Sequence, residues 1–263
     1  MVVNERIKEQ FGTWLSSYQK FIESEEMDKI YAFLKQESGK GKVICPKSVN
    51  TFKSLELCDK SKLKAVIVLM DPYPTMKDKI MVSDGVPMSC KNTGVIQSSL
   101  SMWYHGIEHN YGFNPDMDIS PDIDYLLKEE HVLLINSALS VELNKSGSHA
   151  QVWQPFMKEL FRILNEEHRG LPIVLCGTAA QKYEKEINPL LHYIKKVEHP
   201  VAASYANRAW NNEYMFKWID NILESNNGKS YKVNWYRLKK SAQEKSSYKG
   251  VSHETIECLD CPF

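Results

Sequence analysis

The sequence predicts an α/β protein, a three-layer α/β/α sandwich with a four-stranded parallel central sheet. Two observations carry that expectation. Four short apolar runs are too short for buried helices and rich in Val, Ile and Leu, as strands covered on both faces are. Between them the large apolar residues recur at helical spacing. Strands alternating with helices make βαβ units, and these build a parallel sheet between helix layers.

In chain order, Phe11, Trp14, Leu15, Tyr18 and Phe21 predict a helix before the first strand, Ala65 to Met70. Leu100, Trp103, Tyr104 and Ile107 share the face of a second helix, which leads to the strand Val132 to Ile135. Trp153, Phe156, Met157, Leu160, Phe161 and Leu164 mark a third helix before the strand Ile173 to Cys176. The last run, Tyr193-Ile194 leading to Val197, is followed by a helix carrying Tyr214, Met215, Trp218, Ile219 and Ile222. Residues 1–225 read as one domain. After Asn226 the chain turns to Asn, Gly, Ser and Lys, so residues 226–263 read as a basic C-terminal extension.

With 263 residues, 25% of them charged and 43% hydrophobic, the chain suits one α/β domain with an extension and excludes global disorder. No apolar run approaches the roughly 18 residues of a membrane span, and Met1 to Leu15 does not read as a secretory signal. The isolated cysteines (Cys45, Cys58, Cys90, Cys176, Cys258, Cys261) read as reduced thiols. The expected setting is intracellular: cytoplasmic, or nuclear or viral for a eukaryotic host. The expected state is a monomer. Lys and Arg number 33 against 33 Asp and Glu, which does not suggest a general nucleic-acid coat. Charge is nevertheless segregated. Glu108 to Glu130 is acidic, and Lys229 to Lys249 is basic enough to sit near a polyanion or to be a solvated extension.

Ligands of an open parallel sheet bind where loops leave the carboxyl ends of strands. Those ends carry Asp71-Pro72-Tyr73-Pro74, Asn136-Ser137-Ala138, Gly177-Thr178-Ala179-Ala180-Gln181 and His199-Pro200-Val201-Ala202-Ala203-Ser204. Singly, each is ordinary: an Asp before Pro is a common turn or cap, and Asn136 and His199 read as loop residues. Together they bring a carboxylate, an amide, a helix-starting loop and an imidazole to one rim. Neither a Gly-x-Ser-x-Gly elbow nor a Walker loop is present. The one metal-like pattern, His253-x4-Cys258-x2-Cys261, has no second ligand pair, so no metal and no cofactor is expected.

These motifs resemble the uracil-DNA glycosylases, in the branch whose first motif reads Gly-Gln-Asp-Pro-Tyr-His; here it is Leu69-Met70-Asp71-Pro72-Tyr73-Pro74. The family's Gly-Leu-Cys-Phe-Ser is similar to Gly85-Val86-Pro87-Met88-Ser89, and its Leu-Leu-Leu-Asn to Leu133-Leu134-Ile135-Asn136. Ser148-His149 and Trp153 resemble its Asn-Ser-His and Trp. Its Gly-Ser-x-Ala-Gln resembles Gly177 to Gln181, and its His-Pro-Ser-Pro-Leu-Ser resembles His199 to Ser204. The match runs in order from Phe11 to Leu223. Pro74, Met70 and Ala202-Ala203 replace the family's His, Gln and Pro-Leu, and at these positions the chain is similar to the poxvirus members. Met88 stands where the family has a Phe against the base, and offers apolar contact without a π-face. Val201 lacks a phosphate-binding hydroxyl but keeps its main-chain N–H.

The resemblance implies a monofunctional DNA glycosylase that flips uracil out of DNA, hydrolyses its N-glycosidic bond and leaves an abasic site. Asp71 would position the attacking water and stabilise the sugar cation; His199 would donate to O2 of the departing base. Asn136, Tyr73, Met88 and Met70 would bind the base, with Tyr73 excluding the thymine methyl. Ser99, Ser204 and Ser89 are the implied phosphate contacts, and Ala202 and Ala203 the intercalation loop. Lacking the family's Leu wedge, the chain is expected to prefer single strands or mispairs. Implied partners are DNA, with Lys229 to Lys249 as an optional basic arm, and a replication or repair protein. Two further readings stand beside this one. The same chemistry could serve a modified pyrimidine in a viral or defence setting, or the fold could serve as a DNA-binding replication-accessory subunit.

Overall fold

The structure, a computed structural model, describes residues 8–239. The four apolar runs are strands: β1 (Ala65–Leu69), β2 (Val132–Asn136), β3 (Pro172–Cys176) and β4 (Tyr193–Val197). They form a parallel sheet in the order β2-β1-β3-β4. Every residue of β1, β2 and β3 is buried, so each strand needs a continuous apolar run without alternation. β4 corrects the expectation of strands covered on both faces. It is one of the two sheet edges, pairing with β3 alone; Tyr193 and Lys196 are exposed and only Val197 is buried. Lysines on such an edge discourage pairing with another chain.

One face of the sheet carries α1 (Leu15–Ile22), α2 (Glu25–Gly39) and α4 (Gln154–Glu167), and the other carries α3 (Ser98–Tyr111), α6 (Pro200–Tyr205) and α7 (Met215–Asn227). Each layer is closed by aromatic rings. Phe11, Tyr18, Phe52 and Trp153 gather around Phe156 on α4, with Tyr18 stacked on it at 5.0 Å. Trp103 on α3 meets Phe216 on α7 edge-on at 4.8 Å, and Trp235 joins them. Burying such rings is the largest apolar contribution a side chain can make to a core.

The segment after Asn226 is packed as far as it is described. Val233 and Trp235 are buried, and the Asp220 carboxylate accepts from the Val233 N–H and the Trp235 indole. Tyr125 donates to the Trp235 carbonyl at 2.7 Å, while Arg237 pairs with Glu129 and lies over the Tyr125 ring. The described part of the basic stretch thus docks onto the acidic one in its own chain. Arg237 is held on the surface by this pair and by the Tyr125 ring. Residues 240–263, with the rest of the basic stretch and the His253, Cys258 and Cys261 pattern, lie outside the described residues.

β1 connects to β2 on one side while β3 connects to β4 on the other, so the connections part between β1 and β3. That is the switch point where such sheets open a crevice. The chain leaves β1 into Asp71 and leaves β3 into Gly177, the start of α5 (Gly177–Gln181).

Candidate active site

Asn136 is the last residue of β2 and lies in register with Leu69 at the end of β1. The two ends are laced together. Ser137 and Ala138 N–H groups donate to the Leu69 and Met70 carbonyls at 2.9 and 3.1 Å, and the Ser137 hydroxyl donates to Met70 at 2.8 Å. The sequence-predicted carboxylate and amide are therefore brought to one rim by backbone pairing.

Asp71 follows β1 by two residues. Its Oδ2 accepts from the Gly147 N–H at 2.6 Å and from the Ser146 hydroxyl at 2.9 Å, and its Oδ1 takes only a longer contact of that hydroxyl, 3.2 Å. Burial pushes this carboxyl above its ordinary range, and the donors from Gly147 and Ser146 pull against that shift. The carboxylate is desolvated yet supplied with the bonds that favour its charged form.

His199 sits two residues past β4 and caps α6. Its Nδ1 accepts from the Val201 N–H at 3.2 Å. An accepting Nδ1 leaves the proton on Nε2, so the ring is a neutral donor at its other edge. Burial lowers its pKa to about 4, which keeps it neutral at physiological pH. The backbone makes room for it: Gly177 has φ +79, and a Cβ there would lie 2.8 Å from the His199 Cβ. Gly177 is thus required twice, by its left-handed backbone and by the imidazole packed against it.

The Asn136 side chain is buried, with 7% exposure, and has no hydrogen-bond partner among the described residues. Neither its carbonyl nor its NH2 is among the water-shielded, unpartnered atoms of the described residues, so both stay open to a ligand that presents a matching donor and acceptor. Tyr73 and Met88 are tied to each other. The Met88 carbonyl accepts from the Tyr73 hydroxyl at 3.4 Å and the Cys90 thiol at 3.2 Å. Met88 is buried and holds φ 63, a left-handed backbone that costs a non-glycine residue about 1 kcal/mol or more. The end of the Met70 side chain lies 3.8 Å from where a Cβ on Gly147 would be.

The residues expected to contact DNA differ in how far they are exposed. Ser89 is fully buried and donates its hydroxyl to Asp84, so it is not presented to a phosphate. The Val201 N–H, expected to remain for phosphate, is committed to His199. Ala203 is 0% exposed and faces inward, leaving Ala202 as the exposed member of that pair. Ser99 lies in the first turn of α3 but is buried, whereas Ser204 is half-buried on α6. No cluster of His, Cys, Asp or Glu that could hold a metal ion occurs among the described residues.

No family model matches the chain. A curated relative from Pseudomonas aeruginosa, named uracil-DNA glycosylase, is 32% identical over 231 residues, covering 85% of this chain and 93% of the relative. One of the same name from Mycoplasmopsis pulmonis is 30% identical, covering 79% of this chain and 89% of the relative. The chain belongs to the uracil-DNA glycosylase family. Its fold agrees with the crystal structure of mimivirus uracil-DNA glycosylase at a TM-score of 0.75, with 23% identity over 85% of this chain and 86% of that one. The crystal structure of the Nitratifractor salsuginis UNG aligns with a TM-score of 0.58 at 15% identity, covering 83% and 94% of the two chains.

Sequence reading of the family motifs missed three residues of this site. Ser146 and Gly147 hold Asp71, and Gly177 shapes the space for His199. Gly177 was visible as part of a motif without a role. Nothing local marks Ser146, whose bond to Asp71 spans 75 residues of chain.

Proposed function

We propose that this chain excises uracil from DNA by hydrolysing the bond between the base N1 and the deoxyribose C1′, leaving an abasic site. The observation that carries the proposal is the buried, unpartnered Asn136 amide. Its carbonyl accepts from uracil N3–H while its NH2 donates to O4; cytosine, with an acceptor at N3 and a donor at N4, presents the reverse pattern. Tyr73 closes the C5 side and excludes the thymine methyl.

In this reading the target nucleotide is turned out of the stack. As the C1′–N1 bond breaks, its electron pair goes to the base and positive charge grows on the sugar. The half-buried Asp71 carboxylate stabilises that charge and orients the water whose oxygen bonds to C1′. The water's proton passes to Asp71 and on to solvent. The neutral His199 donates from Nε2 to O2 of the leaving uracil anion, where a preplaced donor stabilises developing charge best. In this reading Ser204 and Ala202 meet the DNA backbone. With no large side chain at Ala202 or Ala203 to fill the vacated stack, single-stranded or mispaired uracil is the better substrate.

The test is base release from matched oligonucleotides carrying uracil, thymine, 5-hydroxymethyluracil or cytosine, with Asp71→Asn and His199→Ala beside the parent. Cleavage at uracil alone, lost in both variants, is the expected result. Release of 5-hydroxymethyluracil in preference to uracil moves the assignment to a modified base admitted by Met88. DNA binding without release of any base overturns catalysis.

A further inference from the structure

We propose that Ser146 is a positioning residue for Asp71: its hydroxyl holds the carboxylate in one orientation, with Oδ2 bonded inside the protein and Oδ1 left for the sugar and water. The inference rests on the reading of Asp71 as the group that meets the reacting atoms.

The asymmetry of the carboxylate is the central fact. Oδ2 takes two donors, the Gly147 N–H at 2.6 Å and Ser146 Oγ at 2.9 Å, while Oδ1 has only the 3.2 Å arm of that same hydroxyl. A backbone N–H alone allows the carboxylate to rotate about it. A second donor from a different direction removes that freedom, and a preorganised charge need not reorganise as the sugar cation forms.

The turn that carries Ser146 is anchored without the help of its hydroxyl. Asn144 N–H donates to the Pro74 carbonyl at 2.6 Å, so the turn is tied to the far end of the Asp71-Pro72-Tyr73-Pro74 segment. Glu142 N–H donates to Ser148 Oγ at 2.8 Å and Ser148 N–H to the Lys145 carbonyl at 3.2 Å, closing the turn on itself. Its base pairs with Ile44–Cys45. Ser146 is itself exposed, so truncating it removes a hydrogen bond without opening a cavity. A structural residue would have the opposite profile, a buried side chain bonded to backbone, as Ser137 is to Met70.

The hydroxyl also acts on charge. Burial drives Asp71 toward its neutral form, and a donor to the carboxylate opposes that drive. Removing Ser146 therefore raises the pKa of Asp71 further. The neutral acid has no charge to offer the sugar, so activity is lost first on the acidic side and recovers as pH rises.

The experiment compares the parent, Ser146→Ala and Ser146→Thr on uracil-containing oligonucleotides across pH, each also in an Asp71→Asn background. Ser146→Ala is expected to lower kcat about threefold on the alkaline plateau and further, to about tenfold, on the acidic limb of the profile, with KM unchanged. Ser146→Thr, which keeps the hydroxyl, should restore most of the loss. In the Asp71→Asn background, Ser146→Ala should cost under twofold, because coupled residues do not act additively. A pH-independent loss that persists in that background overturns the proposal, as does unchanged kcat in Ser146→Ala. If the parent itself releases no uracil, the reading of Asp71 falls and the role of Ser146 falls with it, an outcome distinct from an active parent with an indifferent Ser146.

Discussion

At the end of β1 a carboxylate is desolvated and supplied with donors from another segment; at the end of β4 an imidazole is desolvated and, among the described residues, bonded only to its own helix. Burial moves Asp71 up and His199 down, in both cases toward the neutral form. For His199 that is the form a leaving-group donor at neutral pH requires, so burial alone suffices. Asp71 needs the form that burial opposes, so the fold brings Ser146 and Gly147 against it. The contrast shows how one physical term, loss of water, serves one group unaided and must be countered at the other.

The largest expected effect separates charge from shape at Asp71. Asp71→Asn keeps acceptors for Ser146 and Gly147 but removes the charge, and should lower kcat about a thousandfold with little change in KM. A loss below tenfold breaks the contrast, since shape would then suffice. Next, His199→Ala should lower kcat about a hundredfold, and His199→Gln, a donor that does not titrate, should recover part of that activity. Equal rates for the two variants would remove the donor from the mechanism.

A smaller effect is expected behind the imidazole. Gly177→Ala places a methyl 2.8 Å from the His199 Cβ on a backbone with φ +79. It should cost about 1–2 kcal/mol of stability in denaturant titrations and lower kcat about tenfold, with KM nearly unchanged. Unchanged activity would mean that the ring is not held against that glycine during the reaction.

The smallest effect lies in stability against pH, and here the two groups have opposite signs. His199 has a folded pKa of about 4, below its unfolded value near 6.5. Between those values the unfolded chain binds the extra proton, so stability falls as pH drops through that window, and His199→Gln should flatten the slope there. Asp71 has a folded pKa above its unfolded value, so the folded protein holds the extra proton in the upper carboxylate range and loses stability as pH rises through it. Asp71→Asn should therefore be more stable than the parent at neutral pH, by on the order of 1 kcal/mol, while nearly inactive. Thermal melts across pH check both slopes.

Much of this was legible in the residues alone. Strands buried on both faces must be continuous apolar runs, so β1, β2 and β3 announce themselves, and parallel topology carries Asp71, Asn136, Gly177 and His199 to one rim. The acidic and basic stretches were legible as charge. Their mutual docking through Glu129 and Arg237 was not, because a linear pattern carries no distance. Ser89 shows the same limit: its motif position suggested a phosphate contact, while packing turned its hydroxyl to Asp84.

The sequence by itself therefore determined the layer order, the sheet and the chemical inventory of the rim, because periodicity and strand ends are local properties of a chain. The tertiary structure alone decided which of those groups are available. It placed β4 at an edge, turned Ala203 inward, drew the Val201 N–H to His199 and set Ser146 against Asp71. Each of these depends on a contact between segments far apart in the chain or on which face of an element meets the core, and burial, donor geometry and pKa follow only once those contacts exist.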